Sequence, residues 1–179
     1  MSTPASSCDS RKYSVRLCTT AQELQRCMAI RNEVFCIEQG YDPAIEVDEK
    51  DPHCDHFLLE QVDSDGASRD VGTLRCYAAH PDLLKLGRFA IRSEFRGTGA
   101  GRFLEHEFIS HLERRQPGLC KTVTLDKRQV DIIAYSQCIA VDFYTRLGWN
   151  TVGDEFLEEG QPHIKIVKTV RLLPETEDP

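Results

Sequence analysis

No stretch of this chain approaches the roughly 20 consecutive apolar residues that a membrane-spanning helix requires, and the sequence therefore predicts no membrane segment. Basic residues are in deficit as well. With 22 Lys and Arg against 29 Asp and Glu the net charge is −7, so the chain lacks the basic face expected of a nucleic-acid binder. Met1–Lys12 is polar and carries no apolar core of the kind that makes a signal peptide. We therefore expect a cytoplasmic location, with the nucleus open as well. Also missing is any C-x-x-C pair, although cysteine occurs at positions 8, 18, 27, 36, 54, 76, 120 and 138. Zinc sites need close-set ligand pairs, and His53-Cys54-Asp55-His56 has no second pair at a suitable distance, so no metal is expected. Cys27 and Cys76 occupy positions where apolar residues belong and read as reduced, small hydrophobes.

What is present suits one packed domain. A chain of 179 residues with 40% apolar content can bury a single core, here assigned to residues 13–173 between polar tails at 1–12 and 174–179 that are expected to be disordered. Tyr13 to Cys18 alternates as a strand does. Thr20-Ala21-Gln22-Glu23 is a capping-box pattern opening a helix over about 21–36, with Leu24, Cys27, Met28, Val34 and Phe35 at helical spacing. The segment from Glu38 to Asp55 carries seven acidic residues against Lys50 and contains Pro43 and Pro52, which predicts a long acidic loop with room for a short helix. Phe57–Val62 and Val71–Ala78 read as strands joined by the turn Asp63-Ser64-Asp65-Gly66, and Leu86–Ile91 as a third. A helix follows through Phe103, Leu104, Phe108, Ile109 and Leu112, and another through Ile139, Ala140, Phe143 and Leu147 stops at Gly148. Thr151–Gly153 and His163–Leu172 supply the last strands. Lys121–Leu125 and Ile132–Tyr135 both suit the strand before the second of those helices. Short strand-to-helix connections favour Ile132–Tyr135, which leaves 117–130 as an insertion or edge element.

The segment Arg96-Gly97-Thr98-Gly99-Ala100-Gly101 joins a strand to a helix. Such a turn leaves backbone N–H groups unpaired beside the positive end of the helix dipole, a ready anion cradle. No lysine follows Gly101, so it is not a P-loop, and Arg102 breaks the dinucleotide pattern G-x-G-x-x-G.

The remaining pattern, R-x-x-G-x-G, resembles the pyrophosphate loop of the GNAT superfamily of N-acetyltransferases. Phe143-Tyr144-Thr145-Arg146-Leu147-Gly148-Trp149, about forty residues on, is similar to that superfamily's F-Y-x-x-x-G-[FW] helix end. Within it, an ElaA-like subgroup is the nearer resemblance, through Val34-Phe35-Cys36-Ile37-Glu38-Gln39, through Glu46, Asp48, Asp51 and His56, and through Glu158-Glu159-Gly160-Gln161-Pro162-His163. The resemblance covers about residues 24–170, and only the 117–130 insertion and the tails depart from it.

The resemblance implies an α/β fold with a mixed, mostly antiparallel central sheet flanked by helices. In such a fold the strands holding Phe89–Ile91 and Ile132–Tyr135 splay apart to admit acetyl-CoA. It implies that backbone groups of Phe89, Ala90 and Ile91 pair with the pantetheine arm, and that one of them serves as an oxyanion donor. Arg96, Gly97, Thr98, Gly99, Ala100 and Gly101 would take the pyrophosphate, with Phe143 also at the cofactor. Tyr144 would donate to the leaving thiolate. Amine attack needs a base, because a free amine is largely protonated near neutral pH. Many superfamily members use a glutamate on the strand before the loop, where this chain has Leu86-Gly87-Arg88. His163 and Glu38 are the substitutes, each with a purely structural alternative, and His56 and Asp48 are assigned to bracing the acidic loop. The expected function is direct acetyl transfer from acetyl-CoA to an amine on a small molecule or peptide. Direct attack is preferred to a route through Cys138, since no cysteine has an evident histidine partner. The rival is a non-catalytic acyl-CoA-binding or regulatory module. Seven carboxylates over the acceptor cleft would favour a cationic amine. Oligomeric state is left open, a homodimer included.

Overall fold

The computed structural model describes residues 13–63, 66–80, 83–114 and 128–173. The chain begins with strand β1 (Tyr13–Leu17) and helix α1 (Ala21–Arg31). Thr20 caps α1 by accepting from the Glu23 N–H, while the Glu23 side chain accepts from the Thr20 N–H, so the capping box forms as the sequence predicts. The expected helix over 21–36 does not run on as an α-helix. Beyond Arg31 it widens into a π-helical turn, Asn32–Glu38, of the kind often found at functional sites. A short helix α2 (Pro43–Glu46) sits inside the acidic loop. Strands β2 (Asp55–Val62), β3 (Ser68–His80) and β4 (Leu83–Ile91) precede helix α3 (Ala100–Glu113). Then come β5 (Gln129–Gln137), α4 (Val141–Arg146), β6 (Asn150–Glu158) and β7 (Gln161–Arg171).

Among the described residues the strands form a seven-stranded sheet in the order β1-β2-β3-β4-β5-β7-β6, antiparallel except for the β4–β5 pair. The choice of Ile132–Tyr135 as a core strand is met by β5, which starts at Gln129 and so takes residues 129 and 130 out of the expected insertion. The expected tails, the rest of the 117–130 insertion from 117 to 127 and the rival strand Lys121–Leu125 lie outside or beyond the described residues, except for Arg128. β6 runs longer than Thr151–Gly153 because Gly153, at φ +78, lies in a bulge rather than at a strand end.

Helices cover both faces. Leu104, Phe108 and Leu112 of α3 pack on Phe57, Leu59, Leu74, Leu84, Leu86 and Ile132. Cys27, Ile30 and Val34 pack on Leu58 and Ala90 from the other side. This two-sided cover explains why β2 reads as the unbroken apolar run Phe57-Leu58-Leu59. Cys27 and Cys76 are fully buried in these two clusters, where they pack as small hydrophobes.

Candidate active site

The site begins where the sheet parts. β4 and β5 pair in parallel at Leu83–Asp131, Leu84–Ile132 and Lys85–Ile133, and the pairing stops there. β4 continues along β3 as far as Ile91, while β5 continues along β7 as far as Gln137. From Leu86 onward the β5-facing edge of β4 has no strand partner among the described residues, and a cavity of about 670 Å³ opens between the two halves. Phe89, Ala90, Ile91, Arg96, Tyr144 and His163 all line it.

A bulge shapes β4 at this point. Thr73 faces Ala90 and Arg75 faces Gly87, so Arg88 and Phe89 together oppose Leu74 alone. Arg88 adopts φ +52, a conformation that costs a non-glycine residue about 1 kcal/mol or more. Its guanidinium holds the strain in place by donating to the carbonyls of Ile45 (2.9 Å) and Glu46 (3.1 Å), with the Glu46 carboxylate at 3.0 Å.

The glycine-rich loop leads into α3 as a strand-to-helix turn. Gly99 precedes α3 at φ +90, and no side chain caps the helix. The first bond from the helix back to the loop is Phe103 N–H to the Gly99 carbonyl at 2.9 Å, so the N–H groups of Ala100, Gly101 and Arg102 are left for another acceptor. Gly101 is a glycine for space, since a Cβ there would lie 3.3 Å from two ring carbons of Phe143. Phe143 is thus packed beneath the loop, not against the cavity, with Phe89 at 5.7 Å and Tyr144 at 5.0 Å between ring centroids. Thr98 Oγ1 donates to the Phe95 carbonyl (2.6 Å), so the Tyr13 hydroxyl 2.8 Å away must donate to Thr98, tying the loop to β1.

Arg96 and Glu38 find each other. The guanidinium donates to both Glu38 oxygens, at 2.5 and 2.7 Å, and to the Ile91 carbonyl at 2.9 Å, while its backbone N–H goes to Ser93 O. The Arg96 hydrogen bonds hold the Glu38 carboxyl below the usual carboxylate range. Glu38 lies outside the cavity lining, as Arg96's partner.

Tyr144 is buried against Phe89, Phe143 and Trp149. Among the described residues nothing hydrogen-bonds its hydroxyl. Burial, reinforced by the charge of Glu105, pushes its pKa well above the ordinary tyrosine value, so the phenol stays protonated. His163 is also buried, and its Nδ1 lies 2.9 Å from the Gln161 carbonyl. A carbonyl can only accept, so Nδ1 carries the hydrogen and a neutral ring presents Nε2 as the basic nitrogen, 4.0 Å from Glu158 Oε2. Cys138 is absent from the cavity lining, and burial and Glu155 raise its pKa, which opposes thiolate formation.

Four of the seven carboxylates of the acidic loop are paired with arginines, Glu38 with Arg96 and Glu46, Asp48 and Asp51 with Arg31, Arg75 and Arg88, although Glu46 and Asp48 also line the cavity. The fully buried Arg31 binds the Glu46 carboxylate and carbonyl and both oxygens of Asp51, the latter at 2.7 and 3.2 Å. Arg75 binds both oxygens of Asp48 at 2.8 Å and Asp51 at 2.6 Å. Burial alone would raise the pKa of Asp51, but hydrogen bonds from Arg31 and Arg75 outweigh it and hold the carboxyl far below its usual range. His56 Nε2 donates to the Asp51 carbonyl at 3.0 Å, and Cys54 Sγ donates to the Lys50 carbonyl, so this segment braces itself. Among the described residues no group of three or more His, Cys, Asp or Glu is placed to hold a metal ion, and no helix is long and apolar enough to cross a membrane.

The structure also lines the cavity with residues the motifs did not single out, among them Lys50, Tyr77, Lys85 and Gln137. Gln137 Nε2 donates to Gln39 (2.9 Å) and Tyr41 (3.0 Å), tying β5 to the end of the π-helical turn. Lys85 had one legible signal, a lysine between Leu84 and Leu86 within a strand.

A sheet parted around a cavity, an uncapped glycine-rich helix start and a buried free phenol together mark the N-acyltransferase class. The chain belongs to the GNAT acetyltransferases, as the acetyltransferase (GNAT) domain family matches residues 64–170. YyaT of Bacillus subtilis (strain 168), itself uncharacterized, is 28% identical over 163 residues, covering 88% of this chain and 96% of its own. The structure of an acyl-CoA N-acyltransferase from Pseudomonas aeruginosa is 26% identical with a TM-score of 0.66, covering 87% of this chain and 97% of that one. Escherichia coli ElaA shares the fold at 19% identity and a TM-score of 0.66, covering 88% of this chain and 98% of its own.

Proposed function

We propose that this protein transfers an acetyl group from acetyl-CoA directly to an amine. The observation that carries this reading is the parting of β4 from β5 beyond Lys85 and Ile133, which leaves a strand edge free beside the Tyr144 hydroxyl. The residues present suit acetyl-CoA, which supplies the activated acyl group when bound. The open edge over Phe89–Ile91 offers backbone groups to the amides of the pantetheine arm. The N–H groups of Gly97 to Gly101, with Gly101 kept bare by the Phe143 ring, suit the pyrophosphate. Arg96 holds this loop to Glu38 and to the end of β4.

His163 Nε2 takes one proton from the incoming ammonium, directly or through water. The neutral nitrogen bonds to the thioester carbon as the C–S bond breaks, and the second nitrogen proton goes to the departing thiolate. A backbone N–H of the β4 bulge steadies the oxygen of the thioester as negative charge develops. Tyr144 donates a hydrogen bond to the departing sulfur. A thiol has an ordinary pKa near 8.5, below that of this tyrosine, so the phenol stabilises the thiolate without surrendering its proton outright.

Free thiol released from acetyl-CoA over a panel of amines tests the proposal, and binding of acetyl-CoA without turnover on any amine would support the non-catalytic module. His163→Ala should lower kcat/KM about 100-fold or more near neutral pH. That deficit should shrink as pH rises and the amine, with a pKa near 10, loses its own proton. A deficit independent of pH would remove His163 from the role of base.

A further inference from the structure

The charges around the cavity pair off with a remainder. Arg31, Arg75 and Arg88 are matched by Glu46, Asp48 and Asp51, and Arg96 is matched by Glu38. Lys50 and Lys85 are left over. Neither has a carboxylate within 4.0 Å among the described residues, and both line the cavity. Lys85 cannot turn away, because its neighbours Leu84 and Leu86 are packed in the core and strand alternation sends it to the opposite face. There it occupies the last β4–β5 pair, at the apex of the opening.

Each lysine rests on an aromatic ring in place of a counter-ion. Lys85 Nζ lies 3.8 Å from the Tyr135 ring centroid, and Lys50 Nζ lies 5.8 Å from that of Tyr77, the residue paired with Lys85 across β3 and β4. Beside them Arg75 keeps its buried Nε–H without an acceptor. Burial and the neighbouring charges of Lys50, Arg75 and Arg88 draw the Lys85 pKa downward, and the charge of Glu158 offsets this only in part. The carboxylates that remain on the lining, Glu158 and Glu159, belong to the β6–β7 turn, where Glu158 stands beside His163 Nε2. Lys85 and Lys50 thus form no ion pair among the described residues, while the negative charge left on the lining belongs to Glu158 and Glu159 of the β6–β7 turn.

We infer that the acceptor is an amine bearing its own anionic group, with the ammonium at His163 and Glu158 and the anion at Lys85 and Lys50. The inference rests on the proposed acetyltransferase reading. It selects amino carboxylates or amino phosphates over polyamines, against the cationic preference expected from the acidic loop.

Matched acceptors test it through thiol release: alanine against alaninamide, O-phosphoethanolamine against ethanolamine, and spermidine as a polycation. The anionic member of at least one pair should have a kcat/KM about tenfold to a hundredfold higher, the range of a charge-assisted contact. Alanine separates a carboxylate requirement from the phosphate requirement read by O-phosphoethanolamine. Lys85→Met should erase that ratio while leaving the neutral amines unchanged, and Lys85→Arg should retain most of it. Preference for spermidine or the neutral members, or an equal loss on all acceptors in Lys85→Met, would overturn the inference. So would a requirement for these lysines only when succinyl-CoA replaces acetyl-CoA, which would assign them to the donor. Calorimetric binding of acetyl-CoA separates the two levels. Its failure removes the acetyltransferase reading itself, whereas binding with no anion discrimination removes only the acceptor assignment.

Discussion

Replacing Arg31 by methionine should cost this protein a large share of its stability. Arg31 is 1% exposed and satisfies two carboxylates and a carbonyl from inside α1. Methionine fills much of the same space but leaves those acceptors short of donors. Removing one partner of a buried pair costs about 3–5 kcal/mol, because the other charge is stranded. The lower end applies here, since Asp51 keeps Arg75 at 2.6 Å and Glu46 keeps Arg88 at 3.0 Å. About 3 kcal/mol corresponds to a fall in Tm of roughly 6–12 °C for a domain of this size. The deficit should also depend on pH in one direction. Asp51 has a folded-state pKa depressed below its unfolded value of about 3.9, so its contribution is fully present above that value and is lost as pH falls toward the folded pKa. Arg31→Met weakens the depression, and the gap between wild type and variant should narrow below about pH 4. Urea unfolding midpoints at neutral pH and in the acid range measure both effects. A Tm change below about 2 °C, or a gap that persists unchanged into the acid range, would refute the reasoning.

Tyr144→Phe should reduce kcat about tenfold to a hundredfold while acetyl-CoA binding and Tm stay close to wild type, because the hydroxyl makes no bond within the described protein and only the ring packs. An equal loss in affinity would show a role in binding instead. Gly101→Val places its branches where a Cβ alone is already 3.3 Å from the Phe143 ring, so overpacking of about 1–3 kcal/mol should displace the ring or the loop. Acetyl-CoA affinity, measured by calorimetry, should fall about tenfold or more, and unchanged affinity would separate this loop from the cofactor.

Much of the fold was legible because it depends on short-range patterns. Alternation marked the strands, Thr20 and Glu23 marked the start of α1, and Gly148 marked the stop after α4. The glycine loop was legible as a strand-to-helix turn for a similar reason, whereas Tyr144 was singled out through the resemblance of Phe143–Trp149 to a family motif. The longer β6 was missed because a glycine in a bulge and a glycine ending a strand look alike in sequence. The π-helical turn was missed because its apolar spacing over two turns barely differs from that of an α-helix.

Charge was the poorest guide. Seven carboxylates between Glu38 and Asp55 suggest an acidic surface until their partners are known. Glu38 meets an arginine 58 residues away, Asp48 meets Arg75 and Glu46 meets Arg88, while Lys85 forms no ion pair among the described residues. Local periodicity and capping patterns were enough for most of the strand and helix order, because that follows from steric and hydrogen-bonding preferences over a few residues, while the kind of domain was read from motifs, Arg96–Gly101 and Phe143–Trp149, that resemble those of a family. Which charges are cancelled and which still face the cavity was decided only when the sheet brought distant segments together, since an ion pair acts over a few ångströms of space and local sequence does not encode that distance.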